Sequence, residues 1–296
     1  MTNTKKKLKV VILAAGFGER LTNDARNDNA LEPGEKEKLF LPNGEIKPKA
    51  LLEINGREIA SRLVDQLKEI PDLDIKSDVY LVVNSKYHET FCQWAIRQDI
   101  GLNQNNIINN GVESPSQRQG AVADLGLAVA EGGIEAETLV LSSDTLFDEF
   151  KLKDLIAARQ TGADNNILPV YQEAGAIMHR RAHVEFDSNG QINRFEEKRR
   201  DLDPESTYWA SPAIYLYSEQ TIKHDLPKYL AENKGQLTKL DAPGQFNEYL
   251  CSINPEIRAL PIKGKRFDIG NLEGFRGADA YFRERETEIR PEGRRQ

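Results

Sequence analysis

Residues 8–20 have the sequence LKVVILAAGFGER, and this stretch decides the fold class. Its first part, Leu8–Ala15, is an apolar run interrupted only by Lys9, rich in β-branched side chains and followed directly by glycine. Such a run is typical of a strand that is buried on both faces, as in a parallel sheet. Two similar runs, Val79–Asn84 and Thr138–Ser142, predict further strands of the same sheet.

Apolar residues at helical spacing separate these strands, over residues 59–70 and again over 121–129. Alternating strands and helices predict βαβ units and therefore a mainly parallel sheet in the first half of the chain. Beyond about residue 165 the strand candidates come closer together, and Asp187–Gly190 has the Asn-Gly signature of a hairpin. We therefore expect an α/β fold with a three-layer, Rossmann-like mixed sheet that ends in an antiparallel extension. The later strand candidates are residues 166–171, 183–186, 192–195, 213–217 and 257–261, and the helix candidates are 220–232 and 246–251.

The domain organisation that we expect is a single domain over residues 1–296, because no long Gly/Ser/Pro-rich linker divides the chain. Residues 22–47 are polar and charged, which predicts a long loop inserted after the first strand. Residues 283–296 are dominated by charge and predict a solvated helix end followed by a charged tail.

Composition excludes several classes of protein. Hydrophobic residues are 39% of the chain and charged residues 29%, values that are incompatible with a disordered chain. A formal net charge of −7 disfavours a nucleic-acid-binding protein, which would usually carry a basic surplus. The two cysteines form neither a disulfide framework nor a metal-binding pair, and no apolar run approaches the roughly 20 residues of a membrane span. We expect a cytoplasmic protein with no membrane partner; a homo-oligomeric state stays open.

The glycine turn after the first strand is the most informative local feature. Gly16 and Gly18 allow a tight turn whose backbone N–H groups can face a phosphate, although an ordinary strand-to-helix turn is the alternative. A dinucleotide fingerprint would need a third glycine where Leu21 stands, and a P-loop would need Gly-Lys-Ser/Thr after the glycines. Neither is present. Arg20 is placed to meet phosphates that such a turn would hold.

The segment LAAGFGERL together with Pro48-Lys49-Ala50-Leu51-Leu52 resembles the signature of the sugar-nucleotide pyrophosphorylases, in particular the glucose-1-phosphate thymidylyltransferase-like members. Four further stretches resemble elements of this family in the same order, over about residues 8–282. They are Arg118-Gln119-Gly120-Ala121-Val122-Ala123-Asp124-Leu125, Leu139-Val140-Leu141-Ser142-Ser143-Asp144-Thr145-Leu146-Phe147, Phe195-Glu196-Glu197-Lys198 and Lys265-Arg266-Phe267-Asp268-Ile269-Gly270-Asn271.

The resemblance implies a fold of the nucleotide-diphospho-sugar transferase type and an enzyme that condenses a nucleoside triphosphate with a sugar-1-phosphate, releasing pyrophosphate. Residues 8–145 would then form the nucleotide-binding half and residues 146–282 the sugar-phosphate-binding half. Mg²⁺ is the implied cofactor, a cation that prefers one or two carboxylates plus phosphates and water. The implied residues are Arg20 and Lys49 for catalysis, Leu13, Ala14, Ala15, Gly16, Gly18, Arg118, Gly120 and Ala121 for the nucleotide, Glu197 and Lys198 for the sugar phosphate, and Asp144 and Asp268 for the metal.

The chain departs from the family pattern at two places. Residues 21–48 separate Arg20 from Lys49, a longer stretch than the family usually has, and Pro212–Ala213 stands where Thr-Gly is common beside the sugar. If Lys49 is to reach the triphosphate, we expect Pro48-Lys49 to re-enter the sheet edge as a strand over Ala50–Ile54 begins. The base and the sugar stay open, with a lean toward a pyrimidine that rests on the resemblance alone.

Plainer interpretations of the same residues also stay open. Without the resemblance, Asp144 could cap a helix, Asp268 could be a turn residue, and Lys49 and Lys198 could be solvated surface lysines. At the level of function, the alternatives are a glycosyltransferase that uses a nucleotide-sugar donor and a non-catalytic nucleotide-sugar-binding protein. A glycosyltransferase usually shows an Asp-x-Asp pair, whereas Ser142-Ser143-Asp144-Thr145 contains one aspartate.

Overall fold

A computed structural model of the chain describes residues 7–159, 165–253 and 256–289. The strands are β1 (Leu8–Leu13), β2 (Glu53–Ile54), β3 (Arg57–Glu58), β4 (Val79–Val83), β5 (Ile107–Asn109), β6 (Glu137–Ser142), β7 (Thr145–Phe147), β8 (Asn166–Ala174), β9 (Ala182–Phe186), β10 (Ile192–Glu197), β11 (Thr207–Ser211), β12 (Ile214–Tyr217), β13 (Ile257–Pro261) and β14 (Arg266–Asp268). The helices are α1 (Glu19–Asn27), α2 (Pro33–Leu39), α3 (Ile59–Leu67), α4 (Ile75–Asp78), α5 (His88–Arg97), α6 (Ala121–Glu131), α7 (Leu152–Ala157), α8 (Leu226–Glu232), α9 (Leu237–Leu240), α10 (Pro243–Ile253) and α11 (Leu272–Ile289).

The central element is a mixed sheet that draws strands from both halves of the chain. Its order is β10-β9-β11-β8-β12-β6-β1-β4-β5, and β13 pairs with β8. β1 is parallel to β4 and to β6, and β4 is parallel to β5, whereas β12 joins β6 in the antiparallel sense. The predicted fold class, a mainly parallel first half with an antiparallel extension, is therefore confirmed.

Side chains of β1 alternate between two cores, one on each face of the sheet. Val10 and Ile12 pack with the apolar residues of α3 and α5, whereas Val11 packs with those of α6, α8 and α10. Each of these three side chains is at most 1% exposed. This double burial explains the uninterrupted apolar sequence of the strand and gives the three layers of helix, sheet and helix.

The predicted hairpin at Asp187–Gly190 is confirmed. Asp187 N donates to Gln191 O (2.9 Å), and β9 and β10 pair in the antiparallel sense on either side of the turn. Gly190 has φ +81°, a left-handed conformation that glycine adopts without the strain of a Cβ.

Residues 22–47 do not form the loop that their charge predicts. They contain most of α1 and all of α2, and α2 begins with a capping box between Glu32 and Glu35 and with Pro33 in its first turn. The buried Ala25, Leu39 and Ile46 of this region belong to a third core, which also contains the preceding Leu21 and Phe275 of α11. The prediction was wrong because a few apolar side chains at wide spacing, buried in a core shared with distant elements, are enough to fold a charged segment.

The segment after this insertion also differs from the expectation. Lys49–Leu51 is a single 3₁₀ turn, and a strand over Ala50–Ile54 does not form; Glu53–Ile54 (β2) instead pairs with β3 in a separate two-stranded hairpin. Pro48–Lys49 therefore does not re-enter the edge of the main sheet. A short apolar sequence, Ala50-Leu51-Leu52, predicts burial correctly but does not distinguish a strand from a turn that packs under α3.

The C-terminal region is helical up to Ile289, so the residues 283–289 continue α11, and 290–296 lie outside the described residues. Across the ranges that the structure describes, none of the helices combines the length and apolar character needed to cross a bilayer.

The folded insertion makes a prediction about stability. Leu39 is fully buried in the third core, so Leu39→Ala is expected to lower the free energy of unfolding by about 2–5 kcal/mol, measured by urea denaturation. The exposed Glu37 on the same helix provides the control, and Glu37→Ala should change it by less than about 0.5 kcal/mol. Equal, small effects of both variants would contradict a folded insertion.

Candidate active site

A cavity lies where the carboxyl ends of β1 and β6 meet. The backbone of Ala14 continues the pairing with β4, since Ala14 N donates to Val82 O (2.8 Å), and Asn84 Nδ2 then donates to Ala15 O (2.9 Å). The chain leaves the sheet at this point, so the turn that follows forms one wall of the cavity. The lining residues are Leu13, Ala14, Ala15, Gly16, Lys49, Ala50, Ala121, Asp124, Ser142, Ser143, Asp144, Ala213 and Pro243.

The glycine turn lies open beside this cavity. Gly16 is exposed, and a Cβ built on it would meet no atom within 4 Å. Gly18 has φ +69°, so a side chain there would be strained whatever the space, and α1 begins at the next residue. The side-chain carbons of Lys49 pass about 3.6 Å from the position of a Gly18 Cβ, which places the turn and the lysine in contact.

Lys49 reaches the cavity in spite of the insertion that precedes it, and its ammonium contacts Asp144. Lys49 Nζ lies 3.4 Å from Asp144 Oδ2, and Ser142 Oγ donates to Asp144 Oδ1 (2.7 Å). Burial alone would raise the pKa of Asp144, but the charge of Lys49, the Ser142 hydrogen bond and the charge of Arg266 outweigh it and lower that pKa. Asp144 is therefore ionised at neutral pH.

Asp144 does not cap a helix, because it lies in the turn between β6 and β7. Asp268 is the last residue of β14, which pairs with β7, and Ile269 N donates to Asp144 O (3.0 Å). The two aspartates thus lie side by side, since Asp268 is paired with Thr145, the residue after Asp144. Asp268 Oδ2 accepts a hydrogen bond from Arg181 Nη1 (2.8 Å) and lies 3.6 Å from Arg266 Nη1.

Four of the predicted catalytic and nucleotide residues lie outside the lining of the cavity: the catalytic residue Arg20 and the nucleotide residues Gly18, Arg118 and Gly120. The exposed Arg20 places Nη2 beside Gly270, next to Asp268 Oδ1. Gly120 has φ +102° and packs against the Leu240 carbonyl, where any Cβ would collide with backbone. Arg118 is half exposed, with Nε 3.5 Å from Asp241 Oδ1.

Glu197 is the last residue of the edge strand β10 and Lys198 follows it, and neither side chain belongs to the cavity lining. The Glu197 carboxylate packs against Gly244 at the start of α10, next to the cavity residue Pro243. Burial raises the pKa of Glu197 to about 7, with Glu248 adding to the effect and Lys198 and the Gly244 backbone opposing it. Lys198 is exposed with φ +57°, and its backbone N donates to Arg181 O (2.9 Å).

The structure adds residues that sequence reasoning missed. Asp124 and Ser142 line the cavity, and Arg181 and Arg266 contact Asp268. Asp124 and Ser142 both lie within stretches that carry the family resemblance. The available signal was positional: Asp124 is in the first turn of α6, and Ser142 is the last residue of β6. Arg181 has no local motif, since its role depends on a contact with Asp268, 87 residues away.

Asp144 and Asp268 are the metal ligands that the resemblance implies. Within residues 7–159, 165–253 and 256–289, no three side chains of His, Cys, Asp or Glu come together as a complete metal site. The pair Asp144 and Asp268 offers hard oxygen donors, of which Asp144 is ionised, and such a pair suits a cation that takes its other ligands from phosphates and water.

Comparison with known proteins gives a family and a fold. The model of a family described as nucleotidyl transferase matches residues 45–284, a range that begins after the glycine turn. A Bacillus anthracis structure with sucrose, described as a glucose-1-phosphate thymidylyltransferase, superposes with a TM-score of 0.69 at 17% identity, covering 94% of this chain and 96% of the other. Apo UDP-glucose pyrophosphorylase superposes with a TM-score of 0.64 at 19% identity, covering 94% and 100%. No curated protein is significantly similar in sequence.

The raised pKa of Glu197 makes a prediction about pH. In the unfolded chain this carboxyl titrates near 4.5, so between pH 4.5 and about 7 the folded protein holds a proton that the unfolded chain releases. The resulting stabilisation is complete below pH 4.5 and is lost as pH rises through 7, by up to about 3 kcal/mol. Glu197→Gln, which stays neutral, should therefore gain stability relative to the wild type between pH 5 and pH 8, measured by urea denaturation.

The exposed Glu205 supplies the matched control, because Glu205→Gln removes the same charge without burial. Its difference from the wild type should not vary with pH by a comparable amount. If the difference in stability between Glu197→Gln and the wild type is equally independent of pH, burial does not raise the pKa of Glu197.

Proposed function

The chain belongs to the nucleotidyl transferase family, and on that basis we propose that it condenses a nucleoside triphosphate with a sugar-1-phosphate. A phosphate oxygen of the sugar-1-phosphate attacks the α-phosphorus of the triphosphate. The new O–Pα bond forms as the bond from Pα to the bridging oxygen breaks, and pyrophosphate leaves with the electron pair. The products are a nucleoside diphosphate sugar and pyrophosphate.

The observation that carries this proposal is the meeting of three features in one cavity. The open glycine turn, the Lys49 ammonium and the ionised Asp144 carboxylate all line the space at the carboxyl ends of β1 and β6. Ligands of open α/β sheets bind at this edge. Backbone N–H groups with a nearby cation suit phosphate, and a carboxylate among them suits a phosphate-bound metal.

The chemistry is mainly a problem of charge, because nucleophile and electrophile are both anionic. Two unit charges about 4 Å apart at an effective dielectric constant of about 20 repel by roughly 4 kcal/mol. We assign Lys49 and Arg20 to the triphosphate, where they would stabilise the charge that builds on the leaving pyrophosphate. No covalent intermediate is required, so alignment and charge neutralisation suffice.

We assign the sugar phosphate to residues of the second half of the chain. Lys198, together with Arg181 and Arg266 beside Asp268, would supply positive charge to it, and Glu197 would accept a hydrogen bond from a sugar hydroxyl. Residues 8–145 would accordingly bind the nucleotide and residues 146–282 the sugar phosphate, within one domain.

Asp144 and Asp268 would hold Mg²⁺. When bound, the ion would neutralise phosphate charge and orient the α-phosphate for in-line attack. The chain's own contribution is to keep the Asp144 carboxylate ionised and to position both residues. Ser142 Oγ donates to Asp144 Oδ1, and the pairing of β7 with β14 fixes the spacing of the two backbones.

Pyrophosphate release tests the proposal. We expect release in Mg²⁺ when a panel of nucleoside triphosphates is combined with a panel of sugar-1-phosphates, and near-complete loss in Asp144→Asn. Release without a sugar-1-phosphate would indicate a hydrolase. Transfer from a nucleotide sugar without pyrophosphate would favour a glycosyltransferase, and binding without turnover of any pair would favour a binding protein.

Lys49 permits a sharper test with a neighbouring control. Losing one preorganised charge contact to a developing anion lowers kcat by roughly 10²–10³, and we expect this of Lys49→Ala and of Arg20→Ala. The double variant should be less than additive if both contact one phosphate group. Lys47 lies two residues away and pairs with Glu53 (3.3 Å) outside the cavity lining, so Lys47→Ala should retain the wild-type kcat. A loss below threefold in Lys49→Ala would place Lys49 outside the reaction.

A further inference from the structure

Asp124 is a carboxylate in the cavity that the reaction above does not use. It belongs to the first turn of α6 and lines the same cavity as the glycine turn and Asp144. Acidic residues are common in a first helical turn, where they usually accept backbone N–H groups. Among the described residues, neither oxygen of Asp124 accepts a backbone N–H. Its side chain is therefore available for something other than capping.

One oxygen of Asp124 is held and the other is not. Asn110 Oδ1 accepts a hydrogen bond from Val112 N (3.0 Å), which orients the amide so that Asn110 Nδ2 donates to Asp124 Oδ1 (2.8 Å). Within the described chain, Asp124 Oδ2 has no hydrogen-bond partner and no cation lies within salt-bridge distance of the carboxylate. A side chain that lines the cavity thus has one acceptor oxygen without a partner in the described part of the protein.

The carboxylate is an acceptor under the conditions of an assay. Burial raises the pKa of Asp124 to about 6, while the Asn110 hydrogen bond lowers it, so the group is mostly ionised at pH 7.5. A partly buried charge without a countercharge is costly unless a donor satisfies it. The donor that is missing from the protein can come from a ligand.

We propose that Asp124 selects the base, so that the site prefers nucleotides with an exocyclic amino group over those with thymine or uracil. This rests on the proposed function, since it takes the cavity as the nucleotide site. The phosphates of a nucleotide are repelled by a carboxylate and belong with the glycine turn and Lys49, which leaves the neutral base for Asp124. Cytosine, adenine and guanine each carry an amino N–H donor for Oδ2.

Thymine and uracil fit this acceptor poorly. Their only ring N–H donor on the pairing edge lies between two carbonyl oxygens, so a carboxylate near it also meets their lone pairs. A hydrogen bond to a charged group contributes enough to separate two ligands by roughly tenfold or more in Kd.

Matched pairs of nucleotides isolate the amino group. CTP and UTP differ on this edge by an amino group against a carbonyl, as do ATP and ITP, while GTP and ITP differ by the 2-amino group alone. We expect the amino member of at least one pair to bind with a Kd at least tenfold lower than its partner, measured by titration calorimetry at pH 7.5 with Mg²⁺. Equal affinity within all three pairs, or tighter binding of the carbonyl members, would overturn the proposal.

Variants of Asp124 assign the discrimination to this residue. In Asp124→Asn the amide can donate to a carbonyl, so the preference should fall to unity or reverse, and in Asp124→Ala it should disappear. Asp154 is an exposed aspartate in the first turn of α7, so Asp154→Asn makes the same chemical change outside the cavity and should retain the wild-type preference. A preference that persists in both Asp124 variants would refute its assignment to Asp124, and thermal unfolding checks that each variant is folded.

The binding measurement separates this inference from the proposed function. If amino-bearing nucleotides bind more tightly but no sugar-1-phosphate yields pyrophosphate, base selection stands and the reaction does not. The converse outcome is equal release of pyrophosphate with CTP and UTP together with the same Kd within all three nucleotide pairs. The reaction then stands and base selection by Asp124 does not.

Discussion

The burial of β1 on both faces is the constraint on which the rest of the structure depends. Because Val10 and Ile12 fill one core and Val11 the other, the strand cannot slip by one residue without exchanging its faces. Parallel pairing with β4 and β6 then fixes where all three strands end. The glycine turn, Asp144 and the loop after Val83 are brought to one edge of the sheet by this register alone.

The carboxylates of the cleft hold its cations in place before any ligand arrives. Asp144 contacts Lys49, and Asp268 contacts Arg181 and Arg266. An incoming phosphate would compete for cations that are already ordered, so little reorganisation is needed when it binds. Asp124 differs from both, because its partner is the neutral Asn110 and its charge has no counterion among the described residues.

The sequence predicts the sheet well because each of its central strands has a recognisable local pattern. The bounds of β1, β4 and β6 follow from short apolar runs, and Asn189-Gly190 marks a turn by backbone preference alone. The insertion was mispredicted because its buried Leu39 and Ile46 belong to a core that is completed by residues far along the chain, including Phe275 of α11. Most of the nucleotide residues expected from the resemblance line the cavity, whereas the orientation of Asp124 by Asn110 and the contact of Arg181 with Asp268 are tertiary and leave no local pattern.

Around the third core, polar side chains of the insertion form ion pairs and hydrogen bonds with α11. Glu35 and Asp28 both pair with Arg276, and Lys38 donates to Asp279, whose other oxygen accepts from the backbone of Asn55. During synthesis on the ribosome, residues 21–59 therefore emerge more than 200 residues before the helix against which they pack. Because α11 supplies Phe275 and Ala278 to the third core, that core is complete only once this helix has left the exit tunnel, long after the residues that it covers have emerged.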